Sequence, residues 1–263
     1  MSPYLYIAKV KIKAAMTYRF NVLSTILMQV IIMFASAFFW IAVYGTKGSA
    51  QGVSRESMLT YAIMSAFIGS LFTSDVQERI IQSVRKGSIA LDMLKPVSLF
   101  GIFLAEDVGG ILVALFQRAI PLLLLACLFI QVPVPAAGWY LPMFLISFGL
   151  SYAINWLIAA MFGMWAFTAI SIRPLLSVKN HLVIMLSGSL IPLWFFPDWL
   201  RHILELLPFP YIYQLPLSIF IGRYDYGTVL YQMGIQLVWT GILFFVFIWL
   251  KRRATSRVMI QGG

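Results

Sequence analysis

Reactive side chains are scarce in this chain, and each scarcity removes a class of function. There is one cysteine, Cys127, so no intrachain disulfide can form. The two histidines, His181 and His202, stand apart from each other, from the cysteine and from any H-E-x-x-H pattern, so no metal site is expected. No G-x-x-x-x-G-K-[ST] string occurs, which excludes ATP binding through a P-loop on this chain. Ser187 lies in Ser-Gly-Ser rather than in a G-x-S-x-G nucleophile elbow. Only nine acidic residues are present, scattered singly, so a membrane transferase or hydrolase lacks the carboxylate cluster it would need. No catalytic residue is expected.

What fills the chain instead is apolar. Of 263 residues 61% are hydrophobic, 16% aromatic and only 11% charged, with a mean hydropathy of +0.90. A soluble core cannot use that much apolar surface, so the expected class is an all-α integral membrane protein. At about 20 residues per span the length holds roughly six. The expected organisation is one transmembrane domain over residues 1–263, a length that leaves no room within it for a separate soluble catalytic domain.

The spans read in order as Asn21–Tyr44, Ser57–Thr73, Ile102–Gln131, Trp139–Ala169, His181–Phe196 and Thr228–Leu250. Before them, residues 1–20 carry Tyr and Lys at headgroup level and read as an interfacial helix, or as a plain juxtamembrane tail. The second span bears Tyr61, Ser65, Gly69 and Thr73 at i+4 intervals. That stripe suits close helix packing or a substrate-lining face. The third span carries Glu106, Asp107 and Arg118, the ionisable set nearest membrane depth. Asp107 and Arg118 are about 16 Å apart along a helix and cannot pair directly. Glu106 and Asp107 also fit the headgroup boundary, since they lie near the span's start. In the fourth span, Ser151 and Asn155 are placed to bond a neighbouring helix. Ser171–Asn180 reads as a basic turn holding Arg173 and Lys179. The fifth span is broken by Ser187-Gly188-Ser189 and Pro192, and is followed by an amphipathic piece over Asp198–Leu207 between two prolines.

Between the second and third spans, residues 74–101 form the longest polar stretch. Val76, Ile80 and Val84 share one helical face, Gly87 ends that helix, and Leu91 and Leu94 belong to a second piece stopped at Lys95-Pro96. The net charge of +10 follows the loops. With the N-terminus inside, fourteen Lys and Arg fall on inner segments and four (Lys47, Arg55, Arg201, Arg223) on outer loops. Both termini are therefore expected in the cytoplasm, the 74–101 loop with them, and the broken end of span five outside. The charge marks a membrane side, not a nucleic-acid partner. Outer aromatics such as Trp194, Phe195, Trp199, Tyr211 and Tyr213 suit an interfacial belt or contacts to an amphipathic or cationic substrate.

Three strings carry a family resemblance: Tyr18-Arg19 with Phe39-Trp40, then "RKGSIALDMLKPVS" at 85–98, then "LSGSLIPLWFFPDWLRHILELLPFPYIYQLPLSIFIG" at 186–222. Together they resemble the membrane subunit of type-2 ABC exporters without a fused ATPase, nearest the permeases of the viologen- and drug-exporter-like group. The resemblance implies six spans after an N-terminal interfacial helix, with short re-entrant helices over residues 197–227. It implies two ATP-binding subunits carrying ATP and Mg, a second permease that is unlike rather than identical, and placement in the cytoplasmic membrane among lipid. It also implies that Val76, Ile80, Val84, Arg85, Lys86, Gly87, Leu91, Leu94, Lys95 and Pro96 form the ATPase-coupling element. Tyr61, Ser65, Gly69, Thr73, Ser187, Gly188 and Pro192 become candidate cleft elements. The competing class is a stand-alone ion-coupled transporter or channel.

Overall fold

Long apolar runs have one solution in lipid, the helix, because every backbone N–H and C=O must bond within the segment. The computed structural model describes residues 6–7, 19–72, 76–87, 98–130, 134–136, 138–167 and 173–261. Residues 1–20 lie largely outside that set, and so do Thr73, Leu91, Leu94, Lys95 and Pro96.

The helices are α1 (Arg19–Tyr44), α2 (Arg55–Leu71), α3 (Val76–Arg85), α4 (Leu99–Ala114), α5 (Ile120–Phe129), α6 (Tyr140–Met164), α7 (Arg173–Leu186), α8 (Asp198–Glu205), α9 (Gln214–Phe220) and α10 (Tyr226–Gln261). A two-stranded hairpin, β1 (Ser49–Ala50) and β2 (Val53–Ser54), occupies the loop between α1 and α2. Its turn places Gln51 and Gly52 at φ 52° and 74°, the double left-handed turn that suits a tight hairpin. The hairpin carries the chain directly into α2, whose first turn is capped by Ser54 Oγ accepting from the Ser57 N–H at 3.1 Å.

Among the described residues five stretches are long and apolar enough to cross a membrane, and α7 supplies a shorter apolar helix. The third span is two helices in series. A π turn over Leu115–Ala119 joins α4 to α5, with the Ile120 N–H reaching back to the Leu115 carbonyl. Pro121 explains it: the ring has no N–H to donate and crowds the preceding turn, so the ladder widens just before it. Arg118 sits in that turn, half-buried.

The fifth span corrects the sequence reading. Residues 173–180 are not a turn but the first half of α7, and Lys179 is buried within it. The helix then stops at Leu186. Its 14 residues span about 21 Å, short of the ~30 Å hydrocarbon core, and the chain continues through the irregular 187–192 segment.

Burial separates the central spans from the outer ones. α2 and α6 are enclosed, while α1 buries only one stripe, Met33, Ala37, Trp40 and Tyr44, and presents Leu27, Ile31 and Phe38 outward. α10 lies along α6 through Val229, Gln236, Leu243, Phe247 and Ala254. Those positions recur at near-heptad spacing, as a left-handed helix seam requires.

Candidate functional site: a docked short helix and a clasped break

At one end of the bundle α3 lies against three spans. Arg79 pairs with Glu106 of α4. Gly163 near the end of α6 lets the backbone of Gln77 approach so closely that an added Cβ would meet Gln77 Cα at 2.9 Å. Ile81 packs with Leu176 of α7, flanked by Phe162 and Ala166. Val76 and Ile80 are buried in the same contact, with Val84 half-buried beside it, which is the face that the i, i+4 pattern marks. Arg85, Lys86 and Gly87 are not buried in that contact; Gly87, at φ 69°, ends the helix. One residue further along α4, Asp107 is buried and accepts from the Trp156 indole N–H of α6 at 3.0 Å. Glu106 and Asp107 thus tie α4 to two different elements.

At the opposite end, the break in the fifth span is held by polar side chains. The Tyr61 hydroxyl donates to the Gly188 carbonyl at 2.7 Å and lies 3.0 Å from Gln214 Oε1. Ser65 Oγ donates to the Ser189 carbonyl at 2.6 Å. Gly69 leaves room for Tyr213, whose hydroxyl would stand 3.5 Å from an added Cβ. The polar stripe of the second span and the Ser187–Pro192 break are therefore one construction, with Ser187, Gly188 and Pro192 all buried. In this conformation Tyr61, Ser65 and Gly69 face protein.

Gln214 is the residue that sequence reasoning missed. Its backbone N–H donates to the Ser187 carbonyl at 2.9 Å, and its Oε1 accepts from the Leu193 N–H at 3.1 Å. A helix end without continuation leaves orphaned backbone groups, and here one residue at the start of α9 meets both sides of the gap, its backbone N–H on one and its side-chain oxygen on the other. Gly188, at φ 79°, is compelled by the same contact, since a Cβ there would collide with Gln214 Oε1. A lone Gln in a Leu- and Pro-rich run gives no signal at sequence level beyond being polar where its neighbours are not.

A second hub, Gln236 of α10, sits between α6 and the outer segment. It accepts from Ser147 Oγ at 3.0 Å and donates to Ser151 Oγ at 3.0 Å and the Tyr211 carbonyl at 2.9 Å. Ser151 also donates to the Tyr211 carbonyl at 2.9 Å.

The end holding the break closes with α8, a turn over Phe209–Tyr211, α9 and the 222–225 loop. α8 is amphipathic: Arg201 pairs with Asp198 at 2.9 Å, Leu204 is buried, and Trp199, Ile203 and Leu206 line an exposed apolar face. Most outer aromatics are not surface groups. Trp194 packs edge-on against Tyr61, and the Arg223 guanidinium covers its other side at 4.3 Å; of that set Trp199 is the strongly exposed one. A small polar cavity of about 250 Å³ lies between α8, Tyr211, Gln214 and Arg223.

Helical spans around a clasped discontinuous helix, with a short amphipathic helix seated on the other end, define a polytopic membrane transport subunit. The family model described as "ABC-2 family transporter protein" matches residues 30–258. The chain belongs to that family, whose members are the membrane components of ABC transporters and work with ATP-binding subunits. No curated protein matches the sequence.

Proposed function

We propose that this chain is the permease subunit of an ABC exporter in the cytoplasmic membrane, driven by two separate ATP-binding subunits. ATP and Mg are held on those subunits. Both termini and α3 face the cytoplasm, and the chain pairs with a second, unlike permease to move an amphipathic, lipid-like or drug-like substrate.

The observation that carries this reading is the seat of α3. A helix outside the lipid that grips α4, α6 and α7 at once can convert a push from a docked ATPase into movement of three spans. Arg79–Glu106 and Ile81–Leu176 are its contacts, and α7 runs from the second of these to the break. Movement at α3 is then delivered about 18 Å away to the Gly188–Gln214 clasp. Residues 88–98, with Leu91, Leu94, Lys95 and Pro96, extend the docking surface.

The exposed apolar faces of α1 and α7, including Phe38, Val178, Leu182 and Met185, suit the interface with the second permease. When that interface opens, release of Tyr61 and Ser65 from the break exposes polar groups to the cleft, with Gly69, Thr73, Ser187, Gly188 and Pro192 beside them. Arg118, in the π turn, gives the third span a hinge.

The test is reconstitution of the full chain with the ATPase and second permease that co-purify with it. ATP-dependent transport that stops when α3 is displaced supports the reading. Isolation without any ATPase, together with transport that ignores ATP and follows an ion gradient, establishes the stand-alone transporter instead.

A further inference from the structure

A large groove on the lipid-facing side belongs to neither the clasp nor the coupling seat. It lies between α4, α6 and α10 and encloses about 890 Å³. Its walls are apolar, formed by Leu104, Trp156, Leu157, Leu237, Phe244 and Phe247. Its mouth is different. Lys251, Arg252 and Ser98 ring one end, and Lys251 Nζ lies 5.4 Å from the centre of the Phe100 ring, which is part of the groove lining. From Lys251 to Leu237 along α10 is about 21 Å, half of the ~40–45 Å thickness of a bilayer with its headgroups.

We infer that this groove is a binding site for one anionic glycerophospholipid, its phosphate at Lys251 and Arg252 and its acyl chain laid against α10 and α6. Three features select that occupant. The depth matches one leaflet, so a lipid standing in the membrane fills it without changing orientation. The wall is aromatic and aliphatic, as an acyl chain requires. The two cations at headgroup level complement a phosphodiester bearing a further negative charge and are not needed for a neutral lipid. Gly241 lines the groove, and a Cβ added there would meet nothing within 4 Å, so the groove passes over open backbone at that point. Placement in the cytoplasmic leaflet rests on the proposed orientation, whereas the headgroup preference does not.

The site is tested on the full-length chain, purified in mild detergent with whatever subunits accompany it. Native mass spectrometry is run against phosphatidylglycerol and phosphatidylcholine of matched acyl chains. Wild-type protein should retain phosphatidylglycerol with a preference on the order of tenfold. The double variant Lys251→Gln/Arg252→Gln should lose that preference while still taking up lipid. Gly241→Phe should lose both lipids, and Gly241→Ala should behave as wild type. Equal retention of the two lipids by wild type, or a preference that survives in the charge variant, would mean annular lipid only and overturns the inference. So does a Gly241→Phe variant that keeps its lipid but sheds a second permease chain, since a protein would then cover the groove. If Gly241→Phe fails to fold, the charge variant decides alone.

Discussion

At the residue scale, the molecule depends on two glutamines where its neighbours are apolar. Interhelical hydrogen bonds in membranes are worth about 0.6 kcal/mol on average, so no single contact of Gln214 is decisive. Its removal is, because Gln214→Leu leaves the Leu193 N–H without its acceptor in a buried site. That orphaning costs about 1–3 kcal/mol, and thermal unfolding in detergent should show a lowered Tm. A variant as stable as wild type would deny Gln214 its role in the clasp. Gly188→Ala should be worse, since the left-handed backbone and the collision with Gln214 add. At the outer start of α10, Asp225 accepts from the Thr228 hydroxyl at 2.5 Å and from the Gly227 and Thr228 N–H groups. These bonds, led by the Thr228 hydroxyl, hold its carboxyl below the usual carboxylate value. Its contribution is therefore present above the unfolded-state pKa of about 4 and is lost as pH falls through the lowered folded value. Hydrogen exchange at Gly227 and Thr228 should accelerate only in that acidic window, and Asp225→Asn should exchange faster already at neutral pH.

At the element scale, α3 is the part whose placement can be broken without touching the spans' own helicity. Gly163→Leu inserts a side chain where the Gln77 backbone lies and should push α3 off α6. The expected phenotype is uncoupling: ATP hydrolysis by the assembled complex continues while transport falls at least tenfold. The Arg79–Glu106 pair makes a reciprocal test. Arg79→Glu should impair coupling, and Arg79→Glu with Glu106→Arg should restore it; failure of the swap to recover any transport removes the pair from the mechanism. α7 is the other informative element. Its early end at Leu186 follows from Gly188 and Pro192, but only its contact with α3 shows that a half-span starting at Arg173 joins the two ends of the molecule.

At the whole-molecule scale, the fourteen-to-four distribution of basic residues predicts α3 inside and the hairpin and α8–α9 outside. Cys127 is the one native thiol and can be removed as Cys127→Ser. In that background, Lys47→Cys should react with a membrane-impermeant maleimide on intact cells. Lys86→Cys should react only after permeabilisation, and the reverse pattern would invert the topology.

What the sequence by itself determined is what depends on local pattern and on the solvent. Apolar run length marked five of the spans, the i, i+4 pattern of Val76, Ile80 and Val84 set the buried face of α3, and Gly188 with Pro192 marked the break. The π turn was legible in principle from Pro121, whereas the hairpin turn at Gln51-Gly52 was hidden in a polar loop. Only the tertiary structure decided what depends on residues far apart in the chain meeting. Tyr61 and Ser65 lie more than 120 positions from the carbonyls they bond, and Gln214 reaches across 153 to Tyr61. Glu106 and Asp107, adjacent in sequence, point to different partners because successive helix positions face about 100° apart. A stripe of small polar residues is the same string whether it lines a cleft or clasps a broken helix; the partner helix makes the difference.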